Sequence, residues 1–278
     1  MAKIAEKLKT FLDAGSGTVM VEVVRTRGSV PRDAGAYMLV SPAAIHGTIG
    51  GGQLEFMAID RARQMLAAGQ SGETTLDVPL GPEIGQCCGG RVEVLIRPVD
   101  NRLANDLFRD AQAEEARMPG VYVFGGGHVG LALANALSPL PLRAIVVETR
   151  ADALGGMPDG VATMLTAVPE EMVRSAEAGA AFVVLTHDHA LDFLIVAEAL
   201  KRSDAAYVGM IGSQTKKATF RSWYLKAAGG NEANFARLVS PIGGDIVKDK
   251  RPAVIAALAA AEIMTAVAVK STAAARTA

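Results

Sequence analysis

VYVFGGGHVGLALANAL, residues 121–137, decides the fold. Its first four residues are apolar throughout, as in a strand buried on both faces, and apolar residues recur at helical spacing after the glycines. Gly125, Gly127 and Gly130 fill G-x-G-x-x-G between strand and helix. There the first glycine permits a tight turn, the second admits a pyrophosphate against the backbone, and the third lets helix and strand pack closely. The helix N-terminus offers free N–H groups to an anion. Working outward, the runs AIVVE, AFVVLT and AAYVGMI alternate with helical segments such as LDFLIVAEALK. Continuously apolar strands separated by helices predict a Rossmann-like, doubly wound parallel sheet. Glu148 ends AIVVE, where an acid can accept hydrogen bonds from ribose hydroxyls, and Arg150 can instead meet a phosphate. Two readings remain for the turn: a dinucleotide, NAD(P), occupies it, or the glycines satisfy its own geometry alone.

Three histidines cluster around this edge. His128 lies inside the fingerprint and reads either as a neighbour of the bound anion or as a loop histidine facing solvent. His187, Asp188 and His189 follow AFVVLT at the carboxyl edge of the sheet, outside which ligand crevices lie. On a still-extended backbone His187 and His189 point the same way. Asp188 reads as the cap of the next helix, with Thr186 as its competitor. This set falls short of a closed zinc site, so no metal is assigned.

The N-terminal part reads as a smaller mixed α/β domain: a helix over Ala2–Ala14, extended runs over Thr18–Gly28 and residues 36–40, and a helix over Gln53–Ala68 that opens after Gly50, Gly51 and Gly52. A strand pair follows, Thr74–Leu80 and Arg91–Arg97, with GQCCGG at 85–90 on the connection. Cys87 and Cys88 are the only cysteines. Adjacent Cα atoms lie about 3.8 Å apart, too close for the roughly 4.4–6.8 Å of an unstrained disulfide. They read as soft sulfur donors on an open loop, or as small buried apolar residues. Arg25, Arg27 and Arg32 flank the GSVP turn as phosphate forks or as a solvated surface. A charged helix over Asn101–Met118 leads to the second domain. The expected division is 1–118, 119–269 and a disordered tail at 270–278.

Composition narrows the function classes. Half of the 278 residues are hydrophobic, 21% are charged and the net charge is −1, which suits a folded chain and leaves no electrostatic footprint for nucleic acid. The N-terminal helix lacks the continuous apolar core of a signal peptide, and no apolar run is read as approaching the roughly 20 residues of a bilayer span. With no disulfide framework, the expected compartment is the reducing cytoplasm, with no membrane partner.

The segments GSVPRDAGAYMLV, HGTIGGGQLE, GQCCGGRVEVLIRP, VYVFGGGHVG, VVLTHDHALD, YVGMIGSQTKK and SPIGGDI together resemble the XdhC family, the xanthine dehydrogenase accessory proteins related to CoxI-type maturation factors. The resemblance runs from about residue 15 to residue 264, through both domains. It implies an accessory chaperone that binds molybdenum cofactor (molybdopterin), protects it and supports its sulfuration and insertion. The partners it implies are apo-xanthine dehydrogenase, a cysteine desulfurase and a second copy in a homodimer. Gly50, Gly51 and Gly52 match the family's N-terminal glycine motif, Cys87 or Cys88 its cysteine before GG, and Gly125, Gly127 and Gly130 its Rossmann turn. Gln53 stands where some related factors carry a cysteine. No catalytic residue follows from this reading. The alternative from another class is an NAD(P)-dependent oxidoreductase in which His187 or His189 moves a proton; a third is a pure docking protein.

Overall fold

The computed structural model describes residues 4–14, 17–81 and 89–277, with side chains through residue 272. Cys87 and Cys88 lie outside the described residues. The chain divides into two units, Lys3–Glu115 and Ala116–Ala278.

In the N-terminal unit, β1 (Val19–Arg27), β2 (Tyr37–Val40), β3 (Ile45–Gly47), β4 (Thr74–Pro79) and β5 (Arg91–Pro98) form an antiparallel sheet in the order β3-β2-β1-β5-β4. Val19, Val21 and Val23 share one face of β1 and join the core built on α2 (Gly52–Ala67), whose Leu54, Ala58, Ala62 and Met65 form a stripe at helical spacing. The opposite face, Met20 and Leu39, packs with α1 (Ile4–Asp13) and α3 (Asn101–Arg117) through Leu8, Leu107 and Ala111. The register shifts between Val23 and Arg25, so that beyond it Arg25 stands opposite Glu93 and Arg27 opposite Arg91. β3, three residues with no alternation to read, is an addition to the sequence reading.

The C-terminal unit is a six-stranded parallel sheet. Its strands are β6 (Gly120–Phe124), β7 (Arg143–Glu148), β8 (Ala162–Leu165), β9 (Ala181–Val184), β10 (Tyr207–Met210) and β11 (Leu238–Val239), in the order β11-β10-β9-β6-β7-β8. One face is covered by α4 (His128–Leu137) and α9 (Pro252–Thr277), with Leu133, Ala259 and Ile263 against Val123, Val146 and Val183. On the other, α6 (His189–Lys201) and α7 (Gln214–Lys226) set Ile195, Phe220 and Tyr224 against Phe124, Phe182 and Val208. Burial on both faces is why these strands read as unbroken apolar runs. The chain moves outward from β6 through β7 to β8, then returns to start again at β9. The crevice above β6 and β9 is therefore the topological switch point where ligands bind in such sheets.

Two expectations change at α9. The helix continues to Thr277 where a disordered tail was read from residue 270, because Ala273–Ala275 are strong helix formers. Residues Pro252–Thr272 also reach bilayer length, with mean hydropathy 2.0, where no such run was read. Alanine carries much of that hydropathy. The same residues serve a packing helix: Ala256, Ala259, Ala260, Ile263 and Val267 enter the core, and Glu262 accepts hydrogen bonds from the Tyr207 hydroxyl and the Gly243 N–H, both at 2.9 Å.

Candidate functional site

The crevice at the switch point has a volume of about 250 Å³. Gly125, Gly127, His128 and Gly130 line it from the turn, Glu148 from the end of β7 and Arg150 just beyond it, and Thr186 and His187 from the loop after β9. Gly125 has φ +119°, and a Cβ there would lie 2.5 Å from the Leu185 carbonyl oxygen, so the turn sits directly on the backbone leaving β9. Gly127 caps α4 without any side-chain cap, which leaves first-turn N–H groups available to an anion.

Two buried acids hold the walls of this crevice. Glu148, 4% exposed, accepts the Gly126 N–H at 2.9 Å through Oε2; through Oε1 it accepts the N–H groups of Thr149 at 2.9 Å and Arg150 at 3.2 Å. Burial pushes its carboxyl upward, but the Gly126 and Thr149 N–H groups and Arg150 outweigh it and hold the pKa below the usual range. Asp192, fully buried on α6, accepts the Thr186 N–H at 2.9 Å and hydroxyl at 2.7 Å, and pairs with Lys216 of α7. The sequence reading passes over both Asp192 and Lys216. The available signal was Asp192 in the first turn of the largely apolar helix segment LDFLIVAEAL.

His187 and His189 do not share an extended strand. β9 ends at Val184, Asp188 caps α6 by accepting the Ala190 N–H at 2.7 Å, and His189 is already the first helical residue. His187 lines the crevice; His189 is absent from its lining. Among the described residues no group of three or more His, Cys, Asp or Glu side chains is placed to hold a metal ion.

The N-terminal unit gathers three motifs at one end of its sheet. A Cβ on Gly50 would lie 2.6 Å from the Pro31 ring, so the glycine turn rests on the GSVPR segment. Gly90 also approaches that segment closely, where a Cβ would collide with the Ser29 carbonyl. Mutual hydrogen bonds at 2.8 Å, Leu80 N–H to Gly90 O and Gly89 N–H to Leu80 O, close the base of the hairpin that carries the cysteine loop. Residues 28–32 thus touch both the Gly50–Gly52 turn and Gly90. Glu55 staples the turn: one carboxylate oxygen accepts the N–H groups of Ile49 and Gly51 at 3.1 Å and the Thr48 hydroxyl at 2.5 Å. Gly51 caps α2 with no side-chain cap, and Arg32 lies beside the turn. Arg25 pairs with Glu93 at 3.3 Å, and Arg91 grips Asp77 through two hydrogen bonds, so much of the cationic charge here is already matched.

Comparison with known proteins gives both units a counterpart. The family model described as XdhC Rossmann domain matches residues 121–263, and that described as XdhC and CoxI family matches residues 11–78. The uncharacterized protein YqeB of Escherichia coli K12 is 26% identical over 261 residues, covering 88% of this chain. This chain spans only 42% of that relative's length. The crystal structure of a xanthine dehydrogenase from Bacillus halodurans superposes with a TM-score of 0.77 at 18% identity, covering 96% of each chain, which establishes a shared fold.

Proposed function

The chain belongs to the XdhC family, and from that premise we propose that it is a non-catalytic accessory protein of xanthine dehydrogenase maturation. It binds molybdenum cofactor as cargo, shelters it and supports its sulfuration and delivery to the apo-enzyme. The observation that carries this reading is the meeting of GSVPR, the Gly50–Gly52 turn and the base of the cysteine loop within one unit. A pterin that bears a phosphate and a dithiolene needs anion donors beside a soft donor. The uncapped start of α2 and Arg32 fit the first need, and Cys87 or Cys88, which precede Gly89 in sequence, fits the second. The Rossmann crevice has matching donors for a phosphate in the first-turn N–H groups of α4, Arg150, His128 and His187.

Purification from molybdenum-replete cells, followed by assay of bound pterin and metal, tests the reading. Both are expected to accompany the chain, and the loaded protein is expected to activate apo-dehydrogenase. Absence of pterin and metal with no activation removes the proposal. The double variant Cys87→Ala/Cys88→Ala is expected to lose activation; intact activation reduces the role to docking. Arg32→Ala and Arg150→Ala, assayed for pterin content, assign the phosphate to one unit.

A further inference from the structure

A Rossmann domain that takes NAD(P) presents an acid at the end of its second strand, with a carboxylate free to accept hydrogen bonds from a ribose. Glu148 holds that position on β7, but its carboxylate is turned into the protein. Oε2 is bound to the Gly126 N–H at 2.9 Å; Oε1 is bound to the Thr149 and Arg150 N–H groups, with the Thr149 hydroxyl at 3.3 Å and Arg150 Nε at 3.5 Å. The side chain is 3% exposed. To receive a ribose it would have to turn outward and release the buried Gly126 N–H, which then lacks a partner.

The covering of the turn points the same way. A Cβ at Gly126 would run into the Ala153 carbonyl and lie 3.3 Å from the Met157 methyl. The chain just after Glu148, including the 3-10 turn over Ala151–Leu154, therefore lies against the glycine turn. The remaining crevice of about 250 Å³ is small beside the roughly 300–1,000 Å³ of pockets for drug-sized ligands, and a dinucleotide is larger still.

We propose that Glu148 is an internal brace of the glycine turn, and that by occupying its own carboxylate it makes this Rossmann domain refuse NAD(P). The acid that a sequence reading assigns to ribose recognition is here the residue that excludes it. This goes beyond the cargo reading and is independent of it, since pterin and metal content decide that question separately.

Titration of the full chain with NADH and with NADPH, followed by calorimetry and by quenching of Trp223, tests it. No saturable binding of either is expected up to about 1 mM, well above the micromolar affinities of ordinary ligand sites. Glu148→Gln places an amide NH2 against N–H donors, so melting of the C-terminal unit, read by Trp223, is expected to fall by about 5 °C or more while the dinucleotide titrations stay flat. Saturable binding of either dinucleotide to the unaltered chain overturns the proposal. So does a Glu148→Gln variant that melts unchanged, because the carboxylate is then no brace.

Discussion

Glu55 and Glu148 carry out the same local task in the two units, yet Glu55 reaches four residues back along its own helix whereas Glu148 reaches across 22 residues of chain. Glu55 is half-buried and works through one oxygen within the segment 48–55. Glu148 is buried and joins β7 to the turn after β6, so its bond to Gly126 exists only once those strands have paired. A brace of the first kind stabilises a helix start. A brace of the second kind ties the site to the cooperative folding of its whole unit, which is how a crevice keeps its shape without a ligand.

The contrast is broken or sharpened most strongly at Glu148. Glu148→Ala leaves the buried Gly126 N–H and the part-buried N–H groups of Thr149 and Arg150 without their acceptor, and is expected to destabilise the C-terminal unit by about 2 kcal/mol. Trp223 is the only tryptophan and lies on α7, so its fluorescence in urea follows that unit. The effect has a pH signature. Because the folded carboxyl is held below its ordinary value, the stabilisation is complete above the unfolded carboxyl range near pH 4.5 and is lost as pH falls through the folded value. The gap between the unaltered chain and Glu148→Ala is therefore expected to narrow in acid; a constant gap counts against a charged brace.

Glu55→Ala is expected to have a smaller effect, about 1 kcal/mol, typical of a lost helix-start contact. Faster hydrogen exchange at the Ile49 and Gly51 amides, with the Trp223 transition unmoved, is the expected pattern. A shift of the Trp223 transition as large as that of Glu148→Ala would erase the distinction between the two braces. The smallest effect belongs to His46, whose pKa is lowered by burial and by nearby Lys7. The unfolded chain then takes up the proton more readily than the folded one, so the N-terminal unit loses stability as pH falls below about 6.5. His46→Asn is expected to abolish that slope, as measured by circular dichroism of the chain.

Legibility in the sequence followed the range of the interactions. The strand, glycine turn and helix of residues 120–137 were readable because each signal is contiguous, and the antiparallel pair around the cysteine loop because its strands are close in sequence. β3 and β11 were missed because three and two residues leave too little pattern to count, and β8 because it is mostly exposed and carries no unbroken apolar run. The same-face arrangement of His187 and His189 failed because Asp188 ends the extended backbone by capping α6. The Asp192–Lys216 pair was invisible because its members belong to different helices and meet only through the sheet edge.

The order of apolar runs and glycines by itself determined a two-domain chain with a doubly wound C-terminal sheet, because strand burial and βα turns leave local marks in the residues that make them. Only the tertiary structure decided what the buried acids do. A carboxylate at the end of a strand looks the same in sequence whether it faces a ligand or its own backbone. Which it faces depends on the N–H donors that neighbouring strands and turns bring to it, and for Glu148 those donors come from Gly126 as well as from its own strand end.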